Sequence, residues 1–243
     1  MYGVTQLHDV VYIVTVTSTI LRFDATTHER LTDIDVKGLE WPHDIAACEQ
    51  MFKLYVADEK CIWRVSADAA DTQRWLPKSL SGTFKPESLS VTSTRLLVTS
   101  QSTCQLIQFD ADGDELRSVQ LPDDMRPRHA EESPTGTFVI TQFNSQLKQD
   151  QVFEVNAGGE VLRQFDGSAS DIAIDSRGNI CAADRLNHRI LLLSAHLSLR
   201  RIIIDEHQLN YKQPLSLCYR EESGQLLIVM YGGSVAVFDV LRR

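Results

Sequence analysis

Residues 170–194 read SDIAIDSRGNICAADRLNHRILLLS, and this stretch decides the fold. Three short apolar runs, DIAID, NICAAD and RILLLS, are divided by Ser176-Arg177-Gly178-Asn179 and then by Arg185-Leu186-Asn187-His188. Apolar residues alternate at Ile172 and Ile174, and Gly178-Asn179 marks a tight hairpin. Asp184, Asn187 and Arg189 bracket the second turn, where short polar side chains bond exposed backbone amides. The spacing predicts a three-stranded antiparallel meander.

The same pattern recurs along the chain. Second-strand runs aligned with NICAAD end at Thr15, Asp58, Ser100, Gln142, Asp184 and Met230, in steps of 43, 42, 42, 42 and 46. Third-strand runs end at Asp24, Ser66, Asp110, Asn156, Ser194 and Asp239. First strands follow Pro42, Pro86, Pro127 and Pro214, with Ala169 at the fifth place. Proline suits the first residue of a strand, where no ladder donor is required. One meander cannot bury both its faces, whereas six stacked radially can. The sequence therefore predicts an all-β, six-bladed β-propeller with blades of three to four antiparallel strands. The blades run approximately over 1–38, 39–80, 81–123, 124–167, 168–208 and 209–243. Helix is expected only as single turns at 66–73 and 205–209. Met1 to Thr5 is expected to be the inner strand of the first blade. The last blade then has three strands, and Val235, Val237 and Val240 lie near an unpaired edge.

The stretch from Ile172 to Ile190 resembles the NHL repeat, which reads roughly apolar-A-apolar-D-x-x-G-N-I-apolar-V-A-D-x-x-N-x-R-I. It departs mainly at Cys181 and Ala182, where that family has larger apolar residues. The resemblance implies a six-bladed propeller of NHL type, as found at the C-terminus of tripartite-motif proteins. It also implies a capping role for Asp58 and Asp184 at recurring turns, with Arg189 as the countercharge. The RING, B-box and coiled-coil segments of those proteins have no counterpart here, because the chain has no Cys/His zinc cluster and no heptads.

The 243 residues are 43% hydrophobic. That suits one large all-β domain, which at this size needs no metal or disulfide to hold it together. Five cysteines, Cys48, Cys61, Cys104, Cys181 and Cys218, lack CxxC spacing, and three of them sit inside apolar strand runs. With no sequon and no N-terminal leader pattern, the expectation is an intracellular, cytoplasmic protein with free thiols. No apolar run approaches the roughly 18 residues of a membrane span, so no membrane contact is expected.

The candidate chemical motifs are few. Asp110, Asp112, Asp114 and Glu115 around Gly113 miss the EF-hand spacing and read as a polar hairpin, with Gly158-Gly159 in the same place one blade on. His43 in Trp-Pro-His-Asp-Ile resembles the zinc-binding Pro-His-x-apolar signature of peptidylglycine amidating lyases. The equivalent positions carry Glu87, Arg128, Ser170 and Leu215, so one histidine of the three ligands a catalytic zinc needs is present. His129 stands one residue out of that register, and its side chain is expected on the opposite face. Lactonase-like six-bladed hydrolases hold calcium with channel carboxylates, and Asp44, Glu87 and Asp171 are this chain's counterparts. No nucleophile elbow, phosphate loop or H-E-x-x-H occurs.

Net charge is −9, which disfavours a single-stranded RNA ligand, since RNA binding depends on neutralising phosphates. Together these observations predict a rigid, monomeric, non-enzymatic platform for a protein or peptide partner, without cofactor or metal. The contact residues are expected on the loops of one face: Trp41, His43, Arg126, Arg128, Phe143, Asn144, Lys148, Arg185, His188 and Tyr231. The alternatives are a single-stranded RNA-binding NHL domain and a channel-site metal-dependent hydrolase or lyase.

Overall fold

A computed structural model describes residues 3–75 and 84–240. Six sequential antiparallel sheets make the blades of a six-bladed β-propeller, five with four strands and the last with three. The first comprises β1 (Val4–Leu7), β2 (Val10–Val14), β3 (Thr19–Asp24) and β4 (Ile34–Asp35). The second holds β5 (Asp44–Cys48), β6 (Lys53–Ala57), β7 (Ile62–Ser66) and β8 (Thr72–Arg74). The third holds β9 (Ser88–Thr92), β10 (Arg95–Ser100), β11 (Gln105–Phe109) and β12 (Glu115–Gln120). β13 (Pro127–Glu132), β14 (Phe138–Asn144), β15 (Gln149–Val155) and β16 (Val161–Gln164) form the fourth. The fifth is β17 (Ile172–Ile174), β18 (Ile180–Asp184), β19 (Arg189–Leu193) and β20 (Leu199–Ile204). The sixth has β21 (Pro214–Arg220), β22 (Gln225–Met230) and β23 (Val235–Asp239). Every strand pairs with its neighbour in sequence. Among the described residues no helix is long and apolar enough to cross a membrane.

The chain divides into two compact units, Met1–Gln120 and Leu121–Arg243. In the first, blade faces meet in two apolar layers, and β6 shows why its sequence is apolar on both sides. Leu54 and Val56 join the layer shared with the first blade, while Tyr55 and Ala57 join the layer shared with the third. In the second unit β18 and β19 repeat this. Ile180, Ala182, Leu191 and Leu193 face one neighbouring blade, and Cys181, Ala183, Ile190 and Leu192 face the other. A period of two with both sets apolar is the mark of strands buried on both faces. The small residues Cys181, Ala182 and Ala183 let the middle strand of blade five sit close to both neighbours.

The structure adjusts two expectations. The N-terminal stretch is the inner strand of the first blade, as expected, but over Val4–Leu7 and not from residue 1, with Gly3 continuing the pairing by accepting the Val14 N–H at 3.1 Å; Met1 and Tyr2 lie outside the described residues. The stretch 66–73 is not a helical turn: Ser66 ends β7, and Thr72–Arg74 returns as an outer strand. His129 stands one residue out of the His43 register, as expected. A β-bulge between Pro127 and His129 sets it opposite Thr141, as Asp44 stands opposite Ala57 and Ser88 opposite Thr99, so it belongs with the residues that follow His43 and Glu87. The extra residue, Arg128, is the one re-aimed by the bulge.

Candidate functional site

In an antiparallel meander the turns between second and third strands and the connections into each first strand share one end of the blade. These loops carry the strongest candidates. Two of the turns are capped by a buried aspartate. Asp58 Oδ1 accepts from the Lys60 and Cys61 amides at 2.8 and 2.7 Å, and Oδ2 accepts from Trp63 Nε1 at 2.7 Å. Asp184 accepts from the Asn187 side chain at 2.9 Å and from Arg189 Nε at 2.8 Å. Both carboxylates are therefore consumed by the turn they close. Asp110 does the same at a hairpin of the opposite end, where Oδ1 takes the Asp112, Gly113 and Asp114 amides and Gly113 adopts φ +93°.

Blade four departs from this scheme. Its second-strand run ends in Gln142 where blades two and five have the capping aspartate, and β14 and β15 are seven residues each, the longest strand pair among the four-stranded blades. Asn144 takes over the capping, accepting the Gln146 and Leu147 amides at 3.0 Å. Gln142 and Asn144 both donate to Gln151 Oε1, at 3.3 and 3.0 Å. Below the hairpin lies Asp150, only 1% exposed. Its Oδ1 meets Arg128 Nη1 at 3.1 Å, and its Oδ2 meets Arg185 Nη2 of the neighbouring blade at 3.4 Å. The Arg128 guanidinium also lies 5.6 Å from the Phe143 ring centre, a cation–π arrangement that steadies the hairpin.

Above this clamp, Phe143 and Leu147 of blade four, Leu186 of blade five, and Tyr211 and Tyr231 of blade six are exposed, Tyr231 to 70%. All five occupy loops or strand ends on the same end of their blades. Lys148 and Arg126 are exposed beside them, and Arg126 Nη1 donates to the Asp123 carbonyl at 2.6 Å. His188 is half-buried with a left-handed backbone at the turn that Asp184 caps. Of the expected contact residues, Arg126, Arg128, Phe143, Asn144, Lys148, Arg185, His188 and Tyr231 thus lie in the second unit, three of them (Arg128, Asn144 and Arg185) engaged in holding the hairpin. In the first unit Trp41 is exposed with φ +52°. His43 is turned inward, its Nε2 2.9 Å from the Pro86 carbonyl and its Nδ1 3.3 Å from that of Trp41. Its role is to join blade two to the start of blade three.

The inner-strand carboxylates have structural partners as well. Asp44 Oδ2 accepts the Leu89 amide of the next blade at 2.7 Å, and Asp171 Oδ2 accepts the Leu217 amide of the next blade at 2.8 Å. Glu131 Oε2 takes the Ile174 amide in the same manner. His129 Nδ1 lies 3.8 Å from Asp171 Oδ1. Asp150, Glu131 and the bulge at Arg128 carried no sequence signal, since each depends on register set by the neighbouring strand. Among the described residues no three His, Cys, Asp or Glu side chains gather as a metal cluster. The five thiols are free, and burial pushes those of Cys61 and Cys181 up to about 12, with Asp58 adding to the effect at Cys61.

The six sheets define a propeller, and comparison with solved structures agrees. The chain is similar to hydrazine synthase of Kuenenia stuttgartiensis, with a TM-score of 0.67 and 14% identity over 97% of this chain and 94% of that one. In all, 1629 solved chains are similar, a breadth at which the likeness speaks for the fold alone. No family model matches the chain, and no curated protein does.

Proposed function

We propose that this propeller is a binding platform for a protein or peptide partner, received on the loop end of blades four to six. The observation that carries this reading is the grouping of Phe143, Leu147, Leu186, Tyr211 and Tyr231 as exposed apolar side chains on that end. Tyrosine and phenylalanine anchors presented on a rigid frame are the usual centre of a protein interface. The NHL-like repeat and the non-enzymatic, intracellular character expected from the sequence belong to the same proposal. Two of the arginines that would serve a nucleic acid, Arg128 and Arg185, share the buried Asp150 carboxylate, so half of their charge is neutralised and both side chains are drawn towards the protein and away from a phosphate.

The experiment is site-specific photo-crosslinking in cells, with the reactive residue placed at Leu147 or Tyr231 and, as a control, at Leu116 on the outer strand of blade three. Protein adducts at the first two positions, absent at the third, are expected. Predominantly RNA adducts, or equal yields at all three, would overturn the reading.

A further inference from the structure

The six third strands can be compared position by position, counting back four residues from the end of each run. The residues there are Ile20, Ile62, Leu106, Val152, Ile190 and Val235. The first five are at most 1% exposed; Val235 is partly exposed. What covers the five is one apolar residue of the outer strand or just beyond it. Ile34, Val119 and Ile204 pair directly with Ile20, Leu106 and Ile190. Trp75 and Phe165 donate their amides to the Ile62 and Val152 carbonyls at 2.7 and 2.9 Å. Among the described residues nothing of the kind stands beside Val235, because no strand pairs with the outer side of β23.

The edge is also chemically unlike the others. The outer strands are interrupted by charge, at Arg74, Glu115 and Arg117, Arg163, and Arg200 and Arg201, the usual guard against pairing with another chain. β23 reads VAVFD, with no charge before Asp239. Its ladder to β22 is framed by the Met230 amide bonded to Ser234 and the Val240 amide bonded to Gly224. Since hydrogen-bonded pairs alternate in an antiparallel ladder, the backbone groups of Val235, Val237 and Asp239 point away from β22.

From this we infer that the β23 edge is a second binding site, distinct from the loop end proposed above, which takes an extended segment of a partner protein by strand addition. The chemistry of the segment is specified by the chain's own outer strands: polar along most of its length, with one large apolar residue whose amide meets the Val235 carbonyl. Backbone hydrogen bonds would supply affinity and the Val235 position the selectivity, as in other cases of β-augmentation.

The probe is a fluorescein-labelled peptide EVLRQFD, copied from residues 160–166, titrated by anisotropy against the 243-residue chain. Binding is expected together with slowed amide exchange at Val235, Val237 and Asp239, and replacing the peptide's phenylalanine with aspartate should weaken it by about tenfold or more. Val237→Pro removes one outward N–H without breaking the β22 ladder and should abolish binding; Val235→Glu, which sets a charge against the peptide's apolar residue, is the second blocking variant. Failure to bind, protection at another surface, or unchanged binding to both variants would overturn the inference. So would a dimer of the chain itself that Val237→Pro dissolves, since the occupant would then be a second copy. Because the loop-end crosslinks do not involve β23, either reading can fail without the other.

Discussion

The Arg128 guanidinium stands 3.1 Å from the carboxylate of Asp150, a side chain with almost no access to water. The bulge at the head of β13 exists in register so that this arginine can leave the inner face and reach it. The pair sets an order of stabilities. Arg128→Ala leaves a buried carboxylate with Arg185 as its remaining ion-pair partner among the described residues, and is expected to cost about 2–4 kcal/mol, somewhat discounted because Arg128 is a quarter exposed. The double variant Arg128→Ala/Asp150→Ala removes the stranded charge and should recover more than about 1 kcal/mol of that loss. Urea denaturation of the two variants measures the order, and a double variant no more stable than the single one would refute it.

Asp58 holds four donors at one buried turn, two backbone amides, the Trp63 indole and, more weakly at 3.7 Å, the Cys61 thiol. Asp58→Ala should therefore destabilise by about 2–4 kcal/mol, because buried donors are left without acceptors. Asp24→Ala, at an exposed turn where the carboxylate takes the Thr26 and Thr27 amides, should cost clearly less, because water can take over the freed donors. Equal losses in thermal melts would argue against burial as the cause.

Asp171 joins blade five to blade six through the Leu217 amide. Asp171→Ala should accelerate amide exchange at Leu217 well beyond any effect in the first unit, since a local tie is lost while the sheets persist. Uniform acceleration throughout the chain would show that the residue acts globally instead.

The thiols give a pH dependence. An unfolded cysteine loses its proton near 9.0, whereas the buried Cys61 and Cys181 hold theirs up to about 12. Unfolding therefore releases protons above 9.0, so these groups leave stability unaffected below that pH and reduce it progressively from 9.0 towards about 12. Burial raises the Tyr12 and Tyr55 hydroxyls in the same sense. Urea midpoints measured between pH 7 and 10.5 should be level up to about 9 and then fall, and Cys181→Ala should flatten the fall. Identical slopes for the two proteins would count against it. Denatured without reductant, the chain should titrate as five free thiols.

The architecture was legible because the meander repeats at a nearly constant spacing and each strand pairs with its neighbour, so local patterns sufficed to place all six sheets. Asp58 and Asp184 were readable as turn caps for the same reason. Register was legible only in part. The offset of His129 from the His43 column could be read from the alignment, but the bulge at Arg128 could not, because nothing in Pro127-Arg128-His129 announces it. Arg128 and Arg185 were expected to face a partner, but Asp150, twenty-two residues from one and thirty-five from the other, engages both. His43 was recognisable as unusual, yet its attachment to the Pro86 carbonyl depends on where the next blade begins.

The double-faced strands have a consequence for biosynthesis. Each sheet completes its own hydrogen bonds from contiguous sequence, but an apolar face is covered only when the following blade arrives, as Leu54 and Tyr55 illustrate from opposite sides of one strand. With steps of 42 or 43 residues over most of the chain, translation at about 5–20 residues per second leaves each new face bare for roughly 2–8 s. A nascent chain paused between blades would present a flat, water-exposed layer of valine, leucine and isoleucine, which makes the joints between blades the points at which ribosome-bound chaperones have most to shield.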